Sequence, residues 1–445
     1  MLAGIRDILV ITWGFSNTFI AAATTDSNTN SKKDHYMKEA LCRISSEPLA
    51  KVIDFGRQPL GNGFLLPEQF SHEYFYPMEV GFSEKSMMLQ LIEQPAPEQM
   101  FHENYAFYSS TSRFMEQHFG VFAQQVMQSG YLAKVNPFVV ELGCNDGIML
   151  KNFAKAGIRH LGIEPSRNVA EVANANGVRT LSEFFAENVA EQIVRNDGQA
   201  DAFLAANVMC HIPDILGVVK GIRALLKPTG VVMFEDPYLG DVIEKTSYDQ
   251  IYDEHVFLFS AHSIQYLFKL YGMELIDVQS QKTHGGSMRY VLAHAGAYPV
   301  KQAVIELLRK EKGLGLHRLS TFETLRRNVE QSRTDLVKLL RELKSQGKHI
   351  AGYGATSKST TILNYCGIGP DLVEYISDTT PIKQGKFTPG MHIPVKPYEA
   401  FKANFPDYAV LFAWNHAEEI MAKEQAFVQA GGRWIVHVPK AQVLG

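Results

Sequence analysis

The sequence has few cysteines, no excess of positive charge and no long uninterrupted apolar run. Its 4 cysteines are scattered singly along 445 residues, at Cys42, Cys144, Cys210 and Cys366. This spacing excludes a disulfide framework and a Cys-x-x-Cys metal-binding pair. Lys and Arg total 43 against 47 Asp and Glu, a formal charge of −4, so no basic surface is expected to hold nucleic acid. The apolar run 8–25 is interrupted by Ser16, Asn17 and Thr18 and is a poor membrane span.

The composition is that of a globular protein, since 46% of the residues are hydrophobic and 20% are charged. The length suffices for two to four domains. Residues 1–37 are expected to be a leader, either disordered or upstream of the true start at Met37, with a signal peptide as the alternative. We expect a cytoplasmic protein, possibly a monomer, that binds neither nucleic acid nor membrane.

Changes in hydrophobic periodicity predict the organisation of the remaining chain. Short β-rich runs predict a small β domain over 38–100, followed by a helical linker over 101–136. Strands alternate with helices over 137–298, a charge-laced helical connector spans 299–348, and a second strand–glycine–helix unit occupies 349–445. Alternation of strands and helices predicts α/β architecture with doubly wound parallel sheets in both later regions.

The first glycine turn follows an apolar strand and opens a helix. Its glycines, Gly143 and Gly147, are spaced Gly-x-x-x-Gly, and we interpret them as positions where the backbone passes close to a ligand. Glu164 ends the next strand, 21 positions after Gly143, where an acid would bind a ribose diol. This pattern resembles class I S-adenosylmethionine methyltransferases. The resulting candidate cofactor residues are Glu141, Gly143, Asn145, Gly147, Glu164 and Asn207.

The second glycine turn contains Gly352, Gly354 and Lys358. It is compatible with three interpretations: a seat for the diphosphate of a nucleotide-bearing substrate, a nicotinamide-dinucleotide site closed by Asp378, or a purely structural turn. We favour the nucleotide-bearing substrate, because a better cofactor site is present upstream and the unit from His349 spans only a half-Rossmann length.

Ionisable side chains cluster after strands of the central region. Carbon methylation requires a base beside a carbonyl and a donor for the enolate oxygen. Tyr252, Glu254 and His255 would supply a donor, an orienting carboxylate and a base within four residues. His211 lies in a second cluster, and His284 stands beside two glycines. The alternative for each histidine is an ordinary satisfied polar residue near a loop.

Several motifs together resemble the C-3 methyltransferases of the tetronitrose and mycarose type, which act on nucleotide-linked 4-keto-6-deoxyhexoses. The resemblance extends from Cys42 to Val438. The motifs are Phe101-His102-Glu103-Asn104-Tyr105, Glu141 to Gly147, Phe234 to Gly240, Ile251 to His255, His284 to Gly286, Gly352 to Ser359, and Ala413 to Glu419.

The resemblance implies a zinc domain, a central methyltransferase unit and a C-terminal half-Rossmann lobe that binds the nucleotide. It also implies that His255 is the general base at C-3, with Tyr252 and Tyr105 near the keto and hydroxyl oxygens. His211 and Glu254 would then position the sugar. His284, Gly352, Gly354, Lys358 and Asn415 are the candidate substrate-binding residues.

The zinc domain departs from the family pattern. The family carries two Cys-x-x-Cys pairs, whereas here the matching positions are Cys42, Ser45, Ser83 and Ser86. Serine hydroxyls do not replace thiolates in a structural zinc site. We therefore predict a degenerate domain without zinc, held by its own apolar contacts at Phe55, Leu60 and Leu89.

The function predicted from the sequence is S-adenosylmethionine-dependent methylation of a nucleotide-linked keto-deoxysugar at carbon, with no bound metal. Three alternatives remain: a small-molecule O-methyltransferase, a catalytically silent nucleotide-sugar-binding protein, and an NAD-dependent oxidoreductase using the C-terminal unit.

Overall fold

The structure is a computed structural model, and it describes residues 39–96 and 113–444. The strands are β1 (Ala50–Pro59), β2 (Phe75–Ser83), β3 (Met88–Leu91), β4 (Phe138–Leu142), β5 (Arg159–Ile163), β6 (Thr180–Leu181), β7 (Ala200–Ala206), β8 (Leu226–Pro237), β9 (Phe257–Leu258), β10 (Met273–Gln281), β11 (Ser287–His294), β12 (Ile350–Tyr353), β13 (Ile376–Ser377), β14 (Val395–Lys396), β15 (Tyr408–Leu411), β16 (Arg433–Val436) and β17 (Gln442–Leu444). The α-helices are α1 (Arg113–Gln128), α2 (Leu150–Lys155), α3 (Arg167–Ala175), α4 (Glu187–Asp197), α5 (Ile215–Leu225), α6 (Leu239–Lys245), α7 (Ala261–Lys269), α8 (Gln302–Leu314), α9 (Leu319–Ser345), α10 (Ser357–Cys366), α11 (Tyr398–Ala403), α12 (Ala417–Lys423) and α13 (Gln425–Gln429).

The central sheet has seven strands in the order β10-β11-β8-β7-β4-β5-β6. β4 pairs in parallel with both β5 and β7, and β11 is antiparallel to its neighbours β8 and β10. Every residue of β4 is buried, as expected for a strand whose sheet is covered by helices on both faces. The doubly wound sheet predicted from the alternating pattern is confirmed. Its strand order reverses at β4, which is where such sheets bind ligands.

The C-terminal sheet has the order β14-β13-β12-β15-β16-β17. β12 pairs in parallel with β13 on one side and with β15 on the other, and β17 alone is antiparallel among these strands. The order therefore reverses at β12, immediately before the second glycine turn. This lobe has the half-Rossmann architecture expected from the sequence.

The N-terminal sheet corrects one expectation. Its order is β1-β2-β3-β9, so the last strand comes from the central region, where Leu258 pairs with Leu89. Its apolar core is also shared, because the rings of Phe82 and Phe322 in α9 lie 4.2 Å apart. Phe55 and Leu89 are buried, but they do not form a core private to the β domain.

Helices occupy most of the described residues in the two connecting regions. The linker contains α1, and the connector consists of α8 and α9. Among the residues described, no helix combines the length and apolarity needed to cross a membrane. Tyr105 and the predicted leader lie outside the described residues.

Candidate active site

The first glycine turn leaves the end of β4 at the reversal point of the central sheet. The φ angle is 63° at Gly143 and 80° at Gly147. The backbone N–H of Gly143 donates to the Ile163 carbonyl at 2.7 Å. A Cβ on Gly143 would lie 2.4 Å from the Val208 side chain. A Cβ on Gly147 would lie 2.8 Å from Val178. Left-handed backbone and close internal packing are thus sufficient to require glycine at both positions.

The acids of this region are arranged around the same turn. Glu164 follows β5 and accepts hydrogen bonds from the backbone N–H groups of Asn145, at 3.1 Å, and Ser166, at 2.9 Å. Glu141 is 3% exposed, and burial together with the neighbouring Glu164 and Asp146 carboxylates raises its pKa well above the usual value. The buried Oε2 of Glu141 has no hydrogen-bond partner in the described part of the chain.

Asn207 completes the rim of this region. It follows β7 in left-handed conformation, with φ of 57°, and its N–H donates to the Glu235 carbonyl at 2.7 Å. Its Oδ1 is buried and unbonded within the described residues. Left-handed conformation is uncommon for residues other than glycine and concentrates at functional sites.

These residues fit S-adenosylmethionine. Its sulfonium and amino groups carry positive charge, which would relieve the mutual repulsion of Glu141, Asp146 and Glu164. The unbonded buried oxygens of Glu141 and Asn207 are available to donors on the ligand, since buried polar atoms are normally hydrogen-bonded. Glu164 retains acceptor capacity for a ribose diol, because an ionised carboxylate has about four lone-pair sites.

Three of the predicted catalytic residues, Tyr252, Glu254 and His255, lie on a buried turn after α6, and His211 reaches them from the 3-10 turn after β7. The ring centroids of Tyr252 and His255 are 4.2 Å apart, and those of His211 and His255 are 5.2 Å apart. Nδ1 of His255 lies 2.7 Å from the Gln250 carbonyl oxygen. Because a carbonyl only accepts, Nδ1 carries the proton and Nε2 is the basic nitrogen.

The electrostatics of the cluster favour neutral imidazoles. Burial lowers the pKa of His211 to about 4. Burial, reinforced by His211 and Lys358, lowers the pKa of His255 well below its ordinary value. Both rings are therefore neutral near pH 7, as a general base must be before it accepts a proton.

A thiol lies beside this pair of histidines. One donor atom from each of Cys210, His211 and His255 falls within 4.8 Å of the others, a spacing at which three side chains could share a metal ion. Burial and the nearby Asp236 raise the pKa of the Cys210 thiol well above its usual value. This opposes formation of the thiolate that binds metals, so the spacing alone does not argue for a metal.

Two residues that the sequence did not point to complete the cluster. Nδ2 of Asn62, in the loop after β1, donates to Oε1 of Glu254 at 2.8 Å. The N–H of Gly61 donates to Oδ1 of Asp253 at 3.1 Å. The only local signal was the turn composition of Leu60-Gly61-Asn62-Gly63, which predicts a loop but not its partners.

The second glycine turn brings a cation to the same cluster. Gly354 has φ of 88°, and the chain then enters α10. Nζ of Lys358 donates to the His284 carbonyl at 3.3 Å. Burial lowers the pKa of Lys358 to about 8, although the Asp249 carboxylate opposes the shift. His284 is itself in left-handed conformation, with φ of 54°, and its buried Nε2 has no partner among the residues described.

The remaining candidate substrate residues differ in placement. Asn415 lies in the 3-10 turn Trp414–His416, which packs against the turn holding His284: a Cβ on Gly285 would lie 2.3 Å from the Trp414 ring. Gly352 lies within β12, where a Cβ would be 2.8 Å from both Ile376 and Phe412. Packing in the sheet is thus sufficient to require glycine at 352.

The four positions of the degenerate zinc site are also brought together. Cys42 Sγ lies 3.3 Å from Ser86 Oγ, and Ser45 Oγ lies 3.3 Å from Ser83 Oγ. Nε2 of Gln90 donates to the Cys42 sulfur at 3.2 Å. Burial raises the pKa of Cys42, but hydrogen bonds from Ser45 and other neighbours outweigh it and lower the pKa to about 7. One thiol and three hydroxyls do not fit a structural zinc site.

Known families match nearly all of this chain. Residues 42–101 match a putative zinc binding domain, residues 115–278 a methyltransferase domain, and residues 282–439 a C-methyltransferase C-terminal domain. The C-methyltransferase NovU of Streptomyces niveus is 34% identical over 406 residues, covering 91% of this chain and 96% of NovU.

Other similar proteins match a smaller share of this chain. A ubiquinone biosynthesis O-methyltransferase of Vibrio parahaemolyticus is 29% identical over 98 residues, 22% of this chain and 42% of that protein. The crystal structure of an S-adenosylmethionine-dependent methyltransferase from Anabaena variabilis covers 40% of this chain and 85% of its own, with 18% identity and a TM-score of 0.33.

The sheet order, the acid-lined turn and the matched methyltransferase domain define an S-adenosylmethionine-dependent methyltransferase. More narrowly, the chain belongs to the C-methyltransferase family that includes NovU. The family resemblance seen in the sequence motifs is thereby confirmed.

Proposed function

We propose that this enzyme transfers a methyl group to C-3 of a nucleotide-linked 4-keto-6-deoxyhexose. The observation that carries the proposal is the proximity of two groups of residues: the Tyr252–His255 pair, and Lys358 with His284, whose charges act on His255. The first group suits removal of a proton next to a ketone. The second suits the diphosphate that links sugar and nucleotide.

The methyl donor is S-adenosylmethionine, which supplies an electrophilic methyl group when bound. Glu164 would hold its ribose diol, and Glu141, Asn145 and Asn207 would line the rest of its pocket. Gly143 and Gly147 shape this turn without a side chain of their own.

His255 acts as the general base in this proposal. Its Nε2 takes the proton from C-3, while Nδ1–H remains bonded to the Gln250 carbonyl and fixes the ring. Tyr252 donates a hydrogen bond to the enolate oxygen that forms, and His211 and Glu254 position the sugar. Bound S-adenosylmethionine would supply the methyl group that the carbanion equivalent at C-3 accepts, with S-adenosylhomocysteine as the by-product. Tyr105 retains its proposed place near the keto and hydroxyl oxygens.

The C-terminal lobe is proposed to hold the nucleotide part of the substrate. Lys358 follows the Gly354 turn at the start of α10, where backbone N–H groups and the helix dipole favour an anion. The turn carrying Asn415 faces the His284 turn across the same junction.

The proton-transfer step is tested by exchange in deuterated water. The enzyme with a nucleotide-linked 4-keto-6-deoxyhexose should exchange the C-3 hydrogen for deuterium, measured by NMR. His255→Asn keeps a side-chain N–H for the Gln250 carbonyl and removes the base, so it should slow exchange about 10²- to 10⁴-fold and leave S-adenosylmethionine affinity unchanged. Exchange at the wild-type rate in this variant would eliminate His255 as the base.

Exchange, methylation and nucleotide-binding measurements on the same protein separate the alternative functions. An O-methyltransferase would methylate an oxygen without exchanging a carbon-bound hydrogen. A silent nucleotide-sugar-binding protein would bind the substrate and do neither. An NAD-dependent oxidoreductase would bind nicotinamide dinucleotide at the Gly352–Ser359 turn.

A further inference from the structure

The loop after β1 connects the N-terminal β domain to both sides of the active site. Nδ2 of Asn62 donates to Oε1 of Glu254, and Oδ1 of the same amide accepts from Oγ of Ser357, each at 2.8 Å. Next to it, the Gly61 carbonyl accepts from Thr360 Oγ1 at 2.9 Å. One side chain therefore joins a carboxylate of the catalytic turn to the first residue of α10.

Gly61 lets this loop approach closely. Its N–H reaches Oδ1 of Asp253 at 3.1 Å, and a Cβ there would lie 2.7 Å from the same oxygen. Consecutive loop residues thus contact consecutive acids: Gly61 contacts Asp253, and Asn62 contacts Glu254.

The two acids are adjacent and buried, so their charges repel. Burial, followed by the charge of Glu254, raises the pKa of Asp253 to about 8. Burial also raises the pKa of Glu254, but the Asn62 hydrogen bond and the Lys383 charge oppose that rise. The Asn62 hydrogen bond and the Lys383 charge therefore both favour the ionised form of Glu254.

We propose that Asn62 is a positioning residue that holds the Glu254 carboxylate in place for the substrate and ties it to the start of α10 through Ser357. An amide is suited to this, because its N–H₂ can only donate to the carboxylate while its oxygen accepts from the serine. The interaction is charge-assisted, and such hydrogen bonds are the stronger ones.

Asn62 is exposed although both ends of its amide are hydrogen-bonded. Glu254, by contrast, is 5% exposed. Substitution of an exposed loop side chain is expected to leave the fold intact, so an effect on Glu254 can be measured in a folded protein.

The first test measures Glu254 itself and needs no substrate. Infrared spectra of protein labelled with ¹³C-carboxyl glutamate are titrated with pH, and Glu254→Gln identifies the Glu254 signal by its loss. In Asn62→Ala the midpoint should rise by about one pH unit or more, because a hydrogen bond to the charged form is lost. The isosteric Asn62→Asp should raise it further by adding a like charge. The exposed Asn404→Ala is the control. An unmoved midpoint in both Asn62 variants would overturn the proposal.

The second test uses methyl transfer and rests on the proposed function. Asn62→Ala should lower kcat roughly tenfold through misplacement of the sugar, with normal S-adenosylmethionine affinity. In the Glu254→Gln background, Asn62→Ala should lower kcat no further, because Asn62 acts through Glu254. Equal losses in both backgrounds would show a purely structural role and contradict the proposal. A wild-type enzyme inactive on every keto-deoxysugar would refute the proposed function, and the infrared result would still decide the role of Asn62.

Discussion

Glu164 offers the most quantitative test of the cofactor assignment. Its two oxygens already accept the N–H groups of Asn145 and Ser166, so the carboxylate is held in one orientation before a ligand arrives. Each oxygen keeps about one further acceptor position for a ribose hydroxyl. A hydrogen bond to a charged group contributes about 1.5–3 kcal/mol, and this corresponds to a roughly 10- to 150-fold change in affinity.

We therefore expect Glu164→Ala to weaken S-adenosylmethionine binding by about 10- to 150-fold, measured by isothermal titration calorimetry. Glu171→Ala is the matched control, because Glu171 is an exposed acid of α3 that pairs with Arg167. Thermal unfolding of each variant establishes that the protein is folded at the assay temperature. A Glu164→Ala protein that binds the cofactor as tightly as the control would refute the assignment of the ribose contact.

The other predictions concern pH, metal and packing. Because the folded-state pKa of Lys358 is about 8, its positive charge is lost as the pH rises through that value, and kcat/KM for the nucleotide-linked substrate should fall above pH 8. Lys358→Arg should remove this fall. The same fall in both proteins would contradict the role of Lys358 in binding the diphosphate. The pKa of His255 is lowered well below its ordinary value, so the imidazole should stay unprotonated as the pH drops through 6.5, about the pKa of a free histidine. The rate of C-3 hydrogen exchange should therefore stay constant around pH 6.5, about that same value. A decline in that rate centred on the pKa of a free histidine would contradict the lowered pKa of His255. Elemental analysis should find no stoichiometric zinc, and one zinc per chain would refute the prediction of a degenerate site. Cys42→Ser should leave the free energy of unfolding nearly unchanged. Leu258→Ala should cost about 2–5 kcal/mol and leave a single unfolding transition; separate unfolding of the β domain would contradict the shared core.

The periodic parts of the fold could be predicted from the sequence. Mainly apolar runs such as Phe138–Leu142 predict parallel strands and place polar residues at their carboxyl ends. The family resemblance is why His211 and His255, 44 positions apart in the sequence (255 minus 211), could be assigned to one site. The rings do lie together.

Contacts between distant segments could not be predicted in this way. β9 joins the N-terminal sheet through two residues, Phe257 and Leu258, too few to give an alternating pattern. Asn62 and Glu254 are 192 positions apart, and nothing local in either segment indicates the other. The close packing of Gly143 against Val208 and of Gly147 against Val178 was also not predictable, because it joins segments that are distant in the sequence.

The central claim is tested most directly by identifying a product. The protein is incubated with S-adenosylmethionine and a nucleotide-linked 4-keto-6-deoxyhexose, and the sugar nucleotide is analysed by mass spectrometry and NMR. We predict a product heavier by one CH₂, with the new methyl group on carbon 3. A methyl group found on oxygen, or cofactor binding with no methylated product from any such sugar, would contradict the account.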